Sequence, residues 1–218
     1  MFAVIFEVKP KAERMDAYLA IATALRPALE RTAGFLSNER FQSRRRPGWL
    51  LSLSLWQDEK PLIRWRTEGS HHGAQATGRA EIFADYHLRV GEVAADSGVP
   101  AGEILAAHRR DLTEAGAATR LVLIERQFPG AALPPADPAA LAAALGVSAP
   151  DRLGEWDVLE SIVMPGKFLV LAAGEMTAAV GGDAAVRRRE VRIIRDYGMF
   201  DRREAPQYYP AAARGTES

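Results

Sequence analysis

Along the first half of the chain, apolar runs with a period of two alternate with runs of helical period. Residues 2–8 form a short β-rich run that predicts a first strand. Apolar residues at helical spacing across residues 15–29 predict a helix, which Pro27 should bend and Gly34 should end. The pattern then returns to strands, and residues 35–43 and 49–56 predict a hairpin joined by a polar turn.

A second helical region follows this hairpin. Asp58 and Pro61 are typical of the first turn of a helix, and Ser70 can cap a further helical segment. Residues 82–93 then predict a fourth strand. The resulting order, β-α-β-β-α-β, is a ferredoxin-like split βαβ unit, which we place at residues 1–97.

The remaining chain predicts a shortened second copy of this order. Residues 98–117 carry a modest apolar stripe between glycines, which predicts a linker helix. Further strands are predicted at residues 120–128, 156–164, 167–173 and 189–197, with a short helix at 138–145 and a glycine-broken helix at 174–183. We therefore expect residues 118–218 to form a degenerate repeat of the first unit, so that the fold class is α+β with tandem ferredoxin-like repeats.

Composition excludes several kinds of partner and chemistry. The 28 basic and 28 acidic residues balance, so no net field attracts nucleic acid or an anionic membrane. The chain has no cysteine, which excludes disulfides, thiolate catalysis and cysteine-held metal sites. No apolar run reaches the length of a signal-peptide core or a membrane span, so we expect a cytoplasmic protein.

Several segments of the first half together resemble one known family. They are FAVIFEVKP, ALRPALE, GFLSNERFQS, LLSLSLWQDE, RWR and GRAEIFADYHLRVGEV. These segments resemble the antibiotic biosynthesis monooxygenase (ABM) domain of the dimeric α+β barrel superfamily, and VRIIRDYGMFDRREAP resembles the tail of its single-domain members. The resemblance implies antiparallel sheets packed face to face. Because the second half could supply the partner sheet, we expect an intrachain pseudo-dimer, and a further homodimer stays open.

The resemblance also implies a monooxygenase-like enzyme that needs no cofactor and no metal. In such enzymes a phenol or anthrone-type substrate is deprotonated, and its carbanion reacts with dioxygen inside a dry apolar pocket. The pocket should lie between the sheet and the helices of the first half. The catalytic candidates at matching positions are Asn38, Trp65 and His71, which offer an amide donor, an indole N–H and an acid–base group.

Three further residues are candidates for binding the aromatic substrate. Tyr86 on the fourth strand offers a hydroxyl if it faces the barrel interior, and His72 and Gln75 follow His71 closely. Structural roles compete with all of these assignments. A tryptophan on a helix that covers a sheet is commonly part of the core, and asparagine or histidine at a strand or helix end commonly bonds to a nearby backbone group.

Two other functions stay open. One is a small-molecule binding or stress-response protein that keeps the fold without the chemistry, which the degenerate second half favours. The other is haem binding or degradation. Haem-degrading relatives carry a proximal histidine ten residues after a tryptophan like Trp65, and Gln75 occupies that position here. His71 and His72 diverge by about 100° on a helix and cannot readily chelate one ion, so we expect no metal site.

Overall fold

The computed structural model describes residues 1–100, 119–128, 134–147, 150, 154–174 and 185–206. Eight strands lie in these ranges: β1 (Phe2–Pro10), β2 (Phe35–Ser43), β3 (Leu50–Trp56), β4 (Phe83–Asp96), β5 (Arg120–Gln127), β6 (Trp156–Ser161), β7 (Lys167–Ala173) and β8 (Val186–Gly198). The helices of the same ranges are α1 (Met15–Glu30), α2 (Glu59–Arg66), α3 (Gly69–Thr77) and α4 (Pro138–Ala144). A 3₁₀ turn (Ala12–Arg14) precedes α1, and a π-helical turn (Gly78–Ile82) precedes β4.

The eight strands close into one antiparallel barrel within the chain. Their order around the barrel is β1-β3-β2-β6-β7-β5-β8-β4. The first half therefore runs β4-β1-β3-β2, and the second half runs β8-β5-β7-β6. Two seams join the halves, a short one between β2 and β6 and a long one between β4 and β8. The prediction of an α+β, ferredoxin-like fold is confirmed, but one closed barrel replaces the two stacked sheets.

Apolar side chains from all eight strands fill the barrel interior. In β3, Leu51, Leu53 and Leu55 point inward, whereas Ser52 and Ser54 point toward the helices, because successive strand residues face opposite sides. The other strands contribute Ala3, Ile5, Phe41, Val93, Leu121, Leu123, Leu159, Leu169, Leu171, Val191 and Ile193 to the same cluster. This is typical of small barrels, whose interior is occupied by their own side chains.

Helices cover the outer face of each half in different ways. Over the first half, Leu29 of α1 and Leu62 of α2 pack near Trp56 at one end of the sheet. Over the second half, Leu141 and Leu145 of the α4 region belong to a cluster whose members are almost fully buried. The outer layer of the first half encloses a cavity.

The N-terminal cap of α3 differs from the sequence prediction. Glu68, rather than Ser70, caps this helix, since its carboxylate accepts a hydrogen bond from the His71 backbone N–H at 2.9 Å. The Ser70 hydroxyl donates to the same carboxylate. A glutamate at this position also places negative charge at the positive end of the helix dipole.

The end of α1 also differs from the prediction. The helix continues past Pro27 to Glu30, and Gly34 is not its cap. Gly34 instead adopts a φ of 87° in the turn before β2, where an added Cβ would lie 2.6 Å from the ring of Pro61. Only glycine tolerates both this backbone conformation and this close approach.

Two predicted segments lie mostly outside the described residues. They are the linker helix at residues 98–117 and the glycine-broken helix at 174–183. The domain boundaries at residues 97 and 118 therefore stay predictions. None of the helices in the described ranges combines the length and the apolar character that crossing a lipid bilayer requires.

Candidate active site

A cavity of about 200 Å³ lies between the outer face of the first-half strands and helices α1 to α3. Its wall is mainly apolar and includes Phe6, Leu25, Trp56 and Leu88. The sequence predicts a pocket at this location, between the sheet and the helices of the first half. A concave, mostly apolar site with few polar groups is typical of small-molecule binding.

Trp65 and His71 stack at the cavity wall. Their ring centroids lie 4.4 Å apart, and the ring planes differ by 14°. His71 Nδ1 lies 2.9 Å from the Trp65 carbonyl oxygen. Because a carbonyl oxygen can only accept a hydrogen bond, Nδ1 must carry the proton, and Nε2 keeps a free lone pair.

The surroundings of His71 favour its neutral form. Burial lowers the pKa of His71, and the hydrogen bond to Trp65 and the charge of Glu68 only partly oppose this effect. A neutral imidazole whose tautomer is held in this way can accept a proton at Nε2 near neutral pH. Gln75, one turn later on α3, also lines the cavity, with its amide nitrogen 3.5 Å from His71 Nδ1.

Asn38 lines the cavity from the sheet, but its amide is already engaged. Its Nδ2 donates to Ser52 Oγ at 2.8 Å and to the Leu53 carbonyl at 3.2 Å. Both amide hydrogens are used, so the predicted donation from Asn38 to an oxyanion has no free N–H. Ser52 accepts from Asn38 and keeps its own O–H for a ligand, so Asn38 is placed to orient Ser52.

Tyr86 and His72 do not line the cavity, contrary to the role predicted for them. Tyr86 faces the helix side instead of the barrel interior, and its hydroxyl accepts hydrogen bonds from Arg79 and Arg202. His72 is exposed, because adjacent residues on a helix diverge by about 100° and His71 takes the inward direction.

Two arginines at the cavity wall escaped the sequence analysis. Arg40 follows Asn38 by two residues on β2, and Arg66 follows Trp65 at the end of α2. The Nε of each is buried and has no hydrogen-bond acceptor within the described part of the chain. Strand alternation could have indicated Arg40, since it shares a face with Asn38, but no sequence pattern points to Arg66.

The second half contributes to this cavity through its last strand. Tyr197, near the end of β8, and Pro206, in the segment after it, line the wall. Burial raises the pKa of Tyr197 to about 12, so its hydroxyl stays protonated at neutral pH. The site thus depends on residues far apart in sequence.

A separate charged cluster lies at one end of the barrel. Ligand atoms of Glu7, His87 and Glu155 lie within 4.8 Å of one another, which is close enough to hold a metal ion. Arg89, however, forms ion pairs with both Glu7 and Glu155, the latter at 3.0 Å. A guanidinium already neutralises these carboxylates, so we regard the cluster as an ion-pair network.

Comparison with known proteins agrees with this fold. The family model for antibiotic biosynthesis monooxygenase matches residues 1–77. The jasmonate monooxygenase ABM of Pyricularia oryzae (strain 70-15) is 44% identical over 220 residues, which cover 98% of this chain and 100% of the relative. The chain belongs to the antibiotic biosynthesis monooxygenase family. Its function is therefore of the ABM-type, monooxygenase-like class.

One of two similar solved structures has a TM-score above 0.5 and shows likeness of fold at low identity. An aldoxime dehydratase in complex with butyraldoxime is 10% identical, with a TM-score of 0.54, over 88% of this chain and 79% of that chain. An anthrone oxidase-like protein is 10% identical, with a TM-score of 0.38, over 94% of this chain and 96% of that chain.

Proposed function

We propose that the chain is a monooxygenase that oxidises a small, largely apolar cyclic compound with dioxygen in the first-half cavity. The observation that carries the proposal is the neutral His71, with a free Nε2, at the wall of an apolar cavity. The jasmonate monooxygenase is 44% identical over nearly the full length of both chains, which supports the proposed reaction type.

Two substrate classes are proposed. Jasmonate is the compound that the relative's name specifies. Anthrone-type aromatic compounds are the class that the resemblance to the family implies. Both classes contain a methylene group that a carbonyl acidifies, directly from the neighbouring position in jasmonate and through the aromatic rings in an anthrone, so that a well-placed base can remove its proton.

The proposed reaction begins with proton transfer from this methylene carbon to His71 Nε2. The resulting enolate gives electrons to dioxygen and forms a carbon–oxygen bond, which yields a hydroperoxide after proton return. Loss of water then leaves one oxygen atom as a new carbonyl. The electrons that reduce dioxygen come from the two broken C–H bonds, so the balance needs no other reductant.

Hydrogen-bond donors at the wall would stabilise the enolate oxygen. Our candidates for this role are the Ser52 O–H, whose oxygen accepts a hydrogen bond from Asn38, and the Trp65 indole N–H, since both residues line the cavity. Donors that are already oriented in a dry site stabilise developing negative charge more strongly than water does. The stacked rings of Trp65 and His71 also keep one side of the cavity apolar.

A cavity-filling pair of variants tests the location of the reaction. Ala74 and Ala76 both lie on α3, but Ala74 lines the cavity and Ala76 is exposed. With isotopically labelled dioxygen, the wild type should incorporate label into jasmonate or anthrone, measured by mass spectrometry. Ala74→Trp should abolish incorporation because the indole occupies the cavity, and Ala76→Trp should retain it. No label in either compound with the wild type, or equal activity in both variants, would contradict the proposal.

We also propose that the second half is a degenerate copy of the first, spanning residues 118–218, that completes the barrel without a site of its own. The identical relative strand order of the two halves supports this proposal. So does the cluster around Leu141 and Leu145 on the second half, whose core members are buried. Each chain would then contain one reaction site.

A further inference from the structure

Several buried or half-buried arginines in the described part of the chain are paired with acids. Arg46 binds Glu7 and Asp157, and Arg89 binds Glu7 and Glu155. At the other end of the barrel, Arg189 binds both Asp96 and Glu125. A buried cation is normally retained only with such a partner, because removal from water is costly.

Arg66 departs from this pattern. Within the described ranges, no carboxylate lies within ion-pair distance of its guanidinium, and its buried Nε–H has no acceptor. Burial lowers its pKa, the charge of Glu59 partly opposes this effect, and Arg195 adds repulsion. The cavity wall therefore holds a positive charge that the described residues do not neutralise.

The position of Arg66 at the end of α2 does not explain its burial. Basic residues near a helix C-terminus interact favourably with the helix dipole. Arg64 is in the same last turn and can do this from the exposed face of the helix. Arg66 instead lines an apolar cavity. An orientation toward solvent would cost less desolvation free energy, so the dipole alone does not account for its position.

We propose that Arg66 binds the carboxylate of the substrate, so that the cavity selects small apolar carboxylic acids in their ionised form. This inference rests on the proposed function, since it assumes that the cavity is the substrate site. A planar guanidinium with free N–H groups matches a carboxylate in geometry and in charge. The apolar body of the ligand would lie against the cavity wall, which Trp65 and His71 also form.

Arg40 is a less suitable carboxylate ligand. Its guanidinium interacts with the buried Tyr18 hydroxyl and partly opposes the rise in the Tyr18 pKa that burial causes. Its remaining Nε–H faces the sheet side of the cavity, near Ser52. We therefore assign the carboxylate to Arg66, and Arg40 serves as a test of that assignment.

Ligand binding without turnover tests the inference. Trp56 and Trp65 line the cavity, so quenching of tryptophan fluorescence reports occupancy. Titrations would compare jasmonate with methyl jasmonate, and octanoate with methyl octanoate. For at least one pair the wild type should bind the acid about tenfold or more tightly than the ester, because a hydrogen bond to a charged group is worth more than one to a neutral ester.

Variants of Arg66 and of the nearby Arg64 test whether the charge of Arg66 itself causes the preference for the acid. Arg66→Leu should lose the preference for the acid and keep its affinity for the ester. Arg66→Lys should keep part of the preference, which guards against loss of the fold as the cause. Arg64→Leu, on the exposed face of α2, should behave as the wild type does.

Three results would overturn the inference. The first is equal binding of acid and ester by the wild type in both pairs. The second is an unchanged preference for the acid in Arg66→Leu. The third is loss of this preference in Arg40→Leu but not in Arg66→Leu. The assay measures no oxygen chemistry. Tight binding of acids without label incorporation would contradict the proposed function and would still support carboxylate recognition by Arg66.

Discussion

At the scale of single residues, the chemistry of His71 depends on a neighbouring backbone group. The carbonyl of Trp65 holds the proton on Nδ1, and the Trp65 ring holds the imidazole plane by stacking. Burial keeps the ring neutral. These three effects together convert an ordinary histidine into a base with one free nitrogen, which is the property that the proposed reaction uses.

Replacing His71 tests this property. His71→Gln should lower kcat/KM for oxygenation by about a hundredfold or more, the usual contribution of a positioned base. The wild-type rate should fall as the pH drops below the ordinary histidine pKa, because burial lowers the pKa of His71 and protonation then blocks Nε2. Label incorporation measured across the acidic and neutral range should show this inflection in the wild type and not in the variant.

His72→Gln is the matched control for this experiment. His72 is the adjacent histidine, but it is exposed and does not line the cavity. Its replacement should leave the rate at neutral pH unchanged and keep the acidic inflection, with only a small shift because the charge of His72 makes the smallest contribution to the His71 pKa. If the acidic inflection persisted in His71→Gln, another group would be the base, and our assignment would be wrong.

At the scale of elements, strand alternation assigns side chains to the barrel interior or to the cavity. The long seam between β4 and β8 is, in addition, sensitive to side-chain size. At Gly91 the register of this pair shifts, and an added Cβ would lie 2.5 Å from Val191 Cγ1 and 2.6 Å from the Arg192 carbonyl oxygen. The two strands approach so closely there that only glycine fits.

Substitution at Gly91 should therefore weaken the seam. Gly91→Ala should reduce the free energy of unfolding by about 1–3 kcal/mol, the usual cost of overpacking, as measured by denaturant titration. Gly73→Ala provides a control of opposite sign. Gly73 is exposed on α3, and an added Cβ there would meet no atom within 4 Å, so alanine should stabilise the helix by about 1 kcal/mol. A Gly91→Ala protein as stable as the wild type would contradict the close approach of the strands.

At the scale of the whole molecule, the barrel depends on a short seam between its halves. Only the register pairs from Phe41 to Ser43 join β2 to β6 within the described residues. A polar cluster reinforces the end of this seam: Asp157 accepts hydrogen bonds from Ser43 Oγ at 2.8 Å and from Arg46 Nε at 2.8 Å. Side chains of the first half thus hold a buried carboxylate of the second half.

Removing this buried charge should destabilise both halves together. Asp157→Asn should lower the free energy of unfolding by about 1–3 kcal/mol, because Arg46 and Ser43 lose their charged acceptor while Arg46 keeps Glu7 as its second partner. Glu160→Gln, on the same strand, removes a largely exposed ion pair with Arg44 and should cost less than about 1 kcal/mol. Thermal unfolding followed by circular dichroism should remain a single transition. A loss confined to one half, seen as two separate transitions, would argue against a closed barrel.

Local patterns in the sequence were enough to predict much of the fold and part of the site. Periodicity located the strands of the first half and the order of the elements, because alternation and helical spacing are properties of neighbouring residues. The motifs around Trp65 indicated the family, and both residues of the stacked pair, Trp65 and His71, were named from the sequence. Most errors at this level concern helix ends, such as Glu68 replacing Ser70 as a cap.

Contacts between distant segments settled which of the named polar groups share a cavity. Asn38 has its amide hydrogens occupied by β3, and Tyr86 faces arginines, because strand pairing and the path after β8 bring remote residues together. The same long-range packing leaves the buried Nε of Arg66 without an acceptor among the described residues. It also brings Tyr197, from near the other end of the chain, to the cavity wall. The burial of a side chain and the identity of its hydrogen-bond or ion-pair partners depend on contacts between residues far apart in sequence, which no local pattern encodes.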